Sequence, residues 1–238
     1  MAVRALSSDD ALWAAAVMEQ RRKQYASYSP VFWHPAEDVV DLHAQFLRGL
    51  IGSQATIALR TDYGFIICQS RENEGFVDDF AVQEPGTWDS DGAALLLAVA
   101  EQPRASGNPD LLRVVTAHAD KPKVRMLETL SMRLAEQWWV KELCDAAPEP
   151  ARAGRITGPG FSGQLGPAPP VYDPGGLVFQ AEGVDEAVDL DVVEHRVAEL
   201  GAVLAIIPAA PGSILASELE HRGWTVAPDW YVGSPFQR

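Results

Sequence analysis

Asp78 and Asp79 place two adjacent carboxyl groups inside Gly75 to Val82, a run of residue types that favours a β-strand. Burial of one carboxyl group beside another raises its pKa, so that it titrates closer to neutral pH. Because neighbouring side chains of a strand point to opposite faces, we expect only one of the two to face any one site. These residues leave two alternatives open, solvated carboxylates or an anchor for the amine of a substrate.

Aromatic side chains cluster in a segment upstream of this strand. Tyr25, Tyr28, Phe32, Trp33 and His34 fall within ten residues, around two prolines. Aromatic rings wall pockets for amines or aromatic ligands by packing and by cation–π contact. The alternative is that they pack under the proline-rich turn or against the second half of the chain.

The remaining reactive residue types give weaker signals. Cys68 and Cys144 match no metal-ligand spacing, so we expect no metal site. The N-terminus shows no secretory signal, which favours a reducing cytoplasm and two free thiols. His118 stands alone in a loop, and such a histidine is more often structural or solvent-facing than catalytic.

The composition is that of a globular protein with an acidic surface. The chain has 238 residues, of which 47% are hydrophobic and 22% charged, with a formal net charge of -14. A negative surface repels phosphate backbones and anionic lipid, so nucleic acid and membranes are unfavourable partners. No apolar run has the length to span a bilayer. A small amine-bearing ligand fits the charge better, although the charge can also serve solubility alone.

The hydrophobic periodicity predicts alternating strands and helices. In the first half, strands are expected over 3–6, 55–60, 64–69, 75–82, 111–116 and 137–143, and helices over 10–25, 36–51, 90–101 and 121–134. The three strands from 55 to 82 have connections too short for crossovers and form an antiparallel meander. In the second half, strands are expected over 177–182, 203–207 and 225–232, and helices over 191–200 and 213–222. We therefore predict a domain over 1–143, a Pro/Gly/Ala-rich linker over 144–175 and a smaller unit over 176–238.

The two halves contain an internal repeat at an offset of 92 residues. The pair Val114-Val115 aligns with Ile206-Ile207, and Trp138-Trp139-Val140 aligns with Trp230-Tyr231-Val232. Both copies read strand, helix, strand and end in an aromatic pair. Duplication explains this spacing better than chance similarity between two βαβ units.

The order of elements over 1–143 resembles the GNAT acetyltransferase fold. Phe76 to Val82 resembles the fourth strand of that family, and Trp88 to Leu96 resembles its pyrophosphate loop and the following helix start. The resemblance implies an α/β (α+β) fold, in which a GNAT-like mixed sheet with flanking helices is followed by a degenerate half-GNAT βαβαβ repeat. It also implies that acetyl-CoA, or another short acyl-CoA, is a cosubstrate.

The implied cofactor site lies at a fork between the fourth and fifth strands and in the loop beyond. The family pattern Gln/Arg-x-x-Gly-x-Gly/Ala corresponds to Asp89-x-x-Gly92-x-Ala94, in which both small positions match and the first is acidic. A helix N-terminus presents backbone N–H groups to a pyrophosphate, and small residues allow close approach. The pantetheine arm would enter the fork and pair with the backbone of the fourth strand. The residues that the resemblance assigns to the cofactor are Phe80, Ala81, Val82, Trp88, Asp89, Gly92, Ala93 and Ala94. The matching loop of the second copy, 183–190, is acidic and lacks the pattern, so we predict that this copy does not bind CoA.

The resemblance also implies roles for candidate catalytic and substrate-binding residues. Asp79 falls where several family members carry a carboxylate base, and Asp78, Tyr28, Phe32 and Trp33 would line the acceptor site. The family's usual general acid, a tyrosine on the last helix, has no counterpart in 121–134. His118, in the loop before that helix, is the nearest titratable substitute.

The function that follows is an acyl-CoA-dependent N-acetyltransferase acting on an amine of a small molecule. Direct transfer in a ternary complex is expected, since Cys68 and Cys144 lack the surroundings of a nucleophile. The missing tyrosine and the acidic loop favour an alternative, a catalytically inactive GNAT-fold binding or regulatory module. The repeat predicts either a monomer that forms an intramolecular pseudo-dimer or a homodimer.

Overall fold

The computed structural model of the chain describes residues 2–71, 74–102, 111–143 and 153–235. Its described residues form two compact units, each assembled from segments that are distant in sequence. Unit 1 comprises Met1–Tyr25, Asp38–Ala135 and Asp229–Arg238. Unit 2 comprises Ala26–Glu37 and Glu136–Pro228.

Two helices cover one face of the unit 1 sheet. Helix α1 (Ala11–Ala26) follows a 3₁₀ turn whose start is capped, because the N–H and Oγ of Ser7 donate to the Asp10 carboxylate at 2.9 and 2.7 Å. Helix α2 (Val39–Ile51) runs beside it. Small buried residues let both helices pack closely on the strands: Ala11, Ala14, Ala15 and Ala44 contact the cluster that holds Phe65 and Ile67.

Strands β2 (Thr56–Arg60), β3 (Gly64–Arg71) and β4 (Glu74–Val82) form the predicted antiparallel meander. A short edge strand, β1 (Arg4–Ala5), pairs antiparallel with β2. Strand β5 (Leu112–Ala117) then pairs parallel to β4, as the intervening helix requires.

Helices α3 (Ala93–Glu101) and α4 (Lys121–Thr129) cover the other face of this sheet, with Leu95, Leu96, Met126 and Leu127 fully or almost fully buried. The prediction that α4 continues to residue 134 is wrong. Ser131 has a φ of 62°, a left-handed conformation that ends a helix, and strand β6 (Arg133–Glu142) begins two residues later.

Unit 2 repeats the order of strands and helices that β2 to α4 have in unit 1. Its strands are β7 (Gly154–Gly158), β8 (Phe161–Gly166), β9 (Leu177–Val184) and β10 (Ala202–Ala209), and its helices are α5 (Leu190–Glu199) and α6 (Ile214–His221). Strand β9 pairs parallel to β10 and antiparallel to β8. Strands β7 and β8 lie inside the segment for which the sequence predicts a linker. The glycines and prolines that flank β8 obscure its alternation, in which Phe161, Gly163 and Leu165 are buried.

The two copies of the repeat exchange their last strands. Strand β6 and strand β11 (Thr225–Gly233) begin 92 residues apart, which is the offset of the repeat. Most of β6 belongs to unit 2, where it pairs antiparallel with β10. The later part of β11 belongs to unit 1, where Tyr231 is 3% exposed and joins the core. Unit 1 is therefore completed by the C-terminal end of the chain.

None of the described helices combines the length and the apolar composition that membrane crossing requires. Cys68 is buried and forms no disulfide within the described residues, and Cys144 lies outside them.

Candidate functional site

Strands β4 and β5 of unit 1 are paired at one end and separate at the other. The parallel ladder joins Gly75 to Leu112 and ends at the pair Val77 and Val114, although both strands continue. On its other side, β4 pairs with β3 and contains a bulge. Two residues of β4, Asp78 and Asp79, lie opposite the single residue Ile67 of β3. A bulge bends its strand and breaks the alternation of side chains. The predicted fork is present, and the bulge marks where it opens.

Asp79 is a buried partner of helix α2. Its Oδ1 lies 2.8 Å from Nε2 of His43, and Nη1 of Arg22 lies 3.3 Å from Nδ1 of the same ring. Burial raises the pKa of Asp79, but its interactions with His43 and Arg22 outweigh that effect and hold the pKa below its usual value. A buried, readily ionised carboxylate is a weak general base, so its predicted catalytic role gains nothing from this geometry.

Asp78 differs from its neighbour because the residue keeps solvent-exposed surface, although protein surrounds its carboxyl group. The surrounding protein and the adjacent Asp79 disfavour its negative charge and raise its pKa to about 6. The charges of Arg22, His43 and Lys123 act on both carboxyl groups. The expectation that only one of the pair faces a given site stays a prediction: Asp79 is buried against His43 of α2, whereas Asp78 keeps exposed surface.

Lys123 of α4 crosses the fork. Its Nζ donates to the backbone carbonyl of Phe80 on β4 at 3.1 Å and to that of Val115 on β5 at 2.9 Å. Phe80, Ala81 and Val82, the predicted cofactor contacts on β4, are each 0% exposed. The carbonyl that would pair with a pantetheine arm already accepts a hydrogen bond from the protein.

A second group of side chains closes the same region. Asp120, which caps α4, accepts hydrogen bonds from Arg21 and from the Tyr25 hydroxyl of α1, the latter at 2.9 Å. Trp88 is 0% exposed and packs edge-on against Phe80 at 4.9 Å between ring centroids. We call Arg21, Tyr25, Trp88, Asp120 and Lys123 the fork lock.

The predicted pyrophosphate loop is built around Trp88 rather than around open backbone. A 3₁₀ turn (Pro85–Thr87) and one π-helical turn (Trp88–Gly92) lead into α3. A Cβ atom on Gly92 would lie 2.5 Å from Cε3 of Trp88, so this glycine makes room for an indole ring. Asp89 is exposed, while Ala93 and Ala94 are partly buried in the first turn of α3. The residues of the fork and the loop therefore do not fit an acyl-CoA in this conformation.

His118 forms a second pair of acid and base at the end of β5. Its Nδ1 lies 2.8 Å from Oδ2 of Asp229, a side chain that is 3% exposed, whereas the histidine is 42% exposed. The carboxylate orients the ring and leaves Nε2 towards solvent. Sequence reasoning selected His118 and missed Asp229, because the aspartate comes from β11, 111 residues later.

The predicted aromatic loop belongs to unit 2. Trp33 is buried against Tyr172 at 5.8 Å and against Phe32 at 4.7 Å. Backbone hydrogen bonds from Ala36 to Val171 and from Asp173 to His34 fix the loop. Tyr28 is 57% exposed. These three predicted substrate contacts thus gather in one unit, while Asp78 and Asp79 belong to the other.

Metal ligands do not gather anywhere in the described parts of the chain. No set of three or more His, Cys, Asp or Glu side chains in those ranges is arranged to hold a metal ion. A groove of about 440 Å³ in unit 2 lies between β7, β8 and α5. Two of its charged side chains, Arg196 and Glu199, pair with each other at 3.5 Å, and Asp191 pairs with Arg222.

Comparison with known proteins identifies the fold. No family model matches the chain, and no curated protein matches it by sequence. Among solved structures, the chain is similar to a candidate acetyltransferase from Thermoplasma acidophilum, with a TM-score of 0.59, 11% identity and 98% of both chains covered. It is also similar to a candidate acetyltransferase from Pyrococcus horikoshii, with a TM-score of 0.52 and 10% identity. The alignment covers 98% of this chain and 89% of that chain.

A GCN5-related N-acetyltransferase from Sphaerobacter thermophilus has a TM-score of 0.50 and 13% identity, and covers 98% of this chain and 95% of its own. These likenesses extend over both units, and at such identities they concern the fold. The resemblance that the sequence predicts is thereby confirmed, and the chain has the GNAT acetyltransferase fold.

Proposed function

We propose that this chain is a GNAT-fold binding protein that holds a small amine-bearing ligand at the Asp78 carboxylate of unit 1. The observation that carries the proposal is the open position of Asp78. Its side chain is exposed at the bulge where the fork begins, and none of the described residues donates a hydrogen bond to it. A primary ammonium group supplies the hydrogen-bond donors that this carboxylate lacks.

The neighbouring cations act on Asp78 through their charge, while their hydrogen bonds go to other groups. Lys123 donates to two backbone carbonyls, and His43 contacts Asp79. Phe76, two positions before Asp78 on β4, lies beside Trp230 with the two rings tilted and their centroids 5.5 Å apart. The Arg71 guanidinium lies 3.6 Å from the centroid of the Phe76 ring, so this ring already accommodates one cation. Aromatic faces near a carboxylate favour an organic ammonium ion, and the net charge of -14 attracts cations in general.

The proposal is tested by NMR titration with phenethylamine, a primary ammonium ion that carries a ring. We expect saturable shifts in the wild type and about tenfold weaker binding, or none, in Asp78→Asn, because the charge-assisted hydrogen bond is lost. The matched control is Asp41→Asn, which removes an exposed carboxylate of α2. The neutral analogue 2-phenylethanol should not bind. Equal affinity in Asp78→Asn and the wild type would refute the proposal.

A second candidate function is acyl-CoA-dependent N-acetylation of the same amine by direct transfer. The pair of His118 and Asp229 favours it, since an exposed imidazole held by a buried carboxylate suits a general base. This candidate also requires the fork to open, because its residues leave no room for an acyl-CoA while Lys123 holds both strands. Release of free thiol from acetyl-CoA in the presence of phenethylamine tests this candidate. A turnover that disappears in His118→Gln would favour the transferase over the binding protein, whereas no thiol release would favour the binding protein.

A further inference from the structure

We infer that Lys123 permanently fills the unit 1 fork, the gap between β4 and β5 beyond Val77 and Val114. Its ammonium group holds the two strands together and prevents a pantetheine arm from entering this gap, which we call the slot. Beyond Val77 and Val114 no ladder joins the two strands in the described part of the chain. Among the described side chains, the Lys123 ammonium group donates a hydrogen bond to one carbonyl on each strand. An ammonium group thus replaces the ladder where the strands diverge.

The environment of Lys123 retains the cation in spite of its burial. The residue is 2% exposed, and its Nζ lies 4.9 Å from the ring centroid of Phe80 and 5.1 Å from that of Trp88. Asp120, Asp78 and Asp79 supply the nearby negative charge. Two carbonyls, two ring faces and three carboxyl groups offset part of the cost of removing the ammonium group from water.

The rest of the fork lock makes displacement of Lys123 difficult. Asp120 is tied to α1 by Arg21 and Tyr25, so the start of α4 that carries Lys123 is fixed from the opposite face of the sheet. An entering pantetheine would have to break both hydrogen bonds of Nζ and move Trp88, which is completely buried. A neutral amide can replace one of those hydrogen bonds but not the charge.

Calorimetry with acetyl-CoA tests the inference on the full chain. The wild type should show no saturable binding at about 1 mM, the range of millimolar affinity. Lys123→Ala vacates the slot and frees the Phe80 and Val115 carbonyls, so we expect binding to strengthen by about tenfold or more. Lys121→Ala, an exposed lysine on the same helix, should behave as the wild type. Equal binding by the wild type and Lys123→Ala overturns the sealing role, and no binding by either overturns the cofactor slot.

Lysine reactivity in the wild type provides a test that does not depend on the folding of a variant. Acetylation by an N-hydroxysuccinimide ester, followed by mass spectrometry, should label the exposed Lys23 and Lys121 and leave Lys123 unmodified. Labelling of Lys123 at the rate of Lys121 would mean that the fork opens freely, and the inference would be wrong. Neither measurement involves an amine ligand, so its outcome is separable from that of the proposed binding function.

Discussion

Substitution of Gly92 by alanine separates the two explanations of the small-residue pattern before α3. If Gly92 is small because a phosphate lies against it, Gly92→Ala should leave the free energy of unfolding unchanged and weaken only ligand binding. If it admits the Trp88 indole, the same methyl group should destabilise the fold. The backbone of Gly92, with φ of -60° and ψ of -51°, is helical and accepts alanine without strain.

The magnitude follows from the packing around the added methyl group. It would lie 2.5 Å from Cε3, 3.2 Å from Cζ3 and 3.5 Å from Cδ2 of Trp88, whereas carbon atoms prefer separations of about 3.5–4.0 Å. The ring must therefore shift by about 1 Å, and it is fully buried. Overpacking of this kind costs about 1–3 kcal/mol, against a gain of up to about 1 kcal/mol from replacing glycine in a helix. We expect a net loss of about 1–2 kcal/mol.

Urea unfolding monitored by circular dichroism measures this loss, and α2 offers a matched control. Gly49 is a helical glycine with no atom within 4 Å of the position that a methyl group would occupy, so Gly49→Ala should stabilise by about 0.5–1 kcal/mol. A double-mutant cycle with Trp88→Leu should remove the cost of Gly92→Ala, because the contacting ring is gone. If Gly92→Ala stabilises as much as Gly49→Ala, the interpretation of this glycine as a seat for the indole is wrong.

Three further predictions follow from the charges and from the strand exchange. Burial lowers the pKa of Lys123 from 10.5 to about 8, so the unfolded chain binds more protons than the folded chain between these values. The free energy of unfolding should therefore rise between pH 8 and 10.5, by up to about 3 kcal/mol. This rise should be absent in Lys123→Met. The pKa of Asp78 is raised from 3.8 to about 6, so the folded chain binds more protons than the unfolded chain between these values. The free energy of unfolding should therefore fall as the pH rises from 3.8 to 6. Asp78→Asn should abolish this decline and be more stable than the wild type at pH 7. A fragment of residues 1–143 lacks the Asp229–Arg238 segment of unit 1 and should show no cooperative thermal transition, while the full chain should; a cooperative transition of the fragment would contradict the exchange.

The elements of the fold could be predicted from the sequence because each has a strong local signal. The meander from β2 to β4 has short connections, and its strands have β-branched or aromatic residues at most buried positions. The end of α4 could not be predicted in the same way. The apolar residues keep the helical spacing up to Ser131, through Met126, Leu127 and Leu130. Ser131 has a left-handed backbone, and no glycine or proline beside it signals the end of the helix.

The site was predicted less well because its features depend on contacts across the chain. The bulge at Asp78 depends on the register of β3 against β4, which leaves no mark in either strand alone. Asp229 reaches His118 only through the strand exchange. Lys123 follows Lys121 and Pro122 at a helix start, where a lysine is normally solvated.

Lys123 and Trp88 give the acidic start of the loop a physical explanation. A phosphate site selects against carboxylates, because Asp89 and Asp91 would repel a diphosphate at the helix N-terminus. With Lys123 in the fork no diphosphate binds there, so nothing disfavours carboxylates in the loop. Carboxylates are then favourable, because they lie next to the positive N-terminal end of α3. The same closure removes the demand for a proton donor to a leaving thiolate, which accounts for the missing tyrosine on α4. Closure of the fork by Lys123 would thus explain the acidic loop and the absent tyrosine together, and the affinity of Lys123→Ala for acetyl-CoA tests that closure.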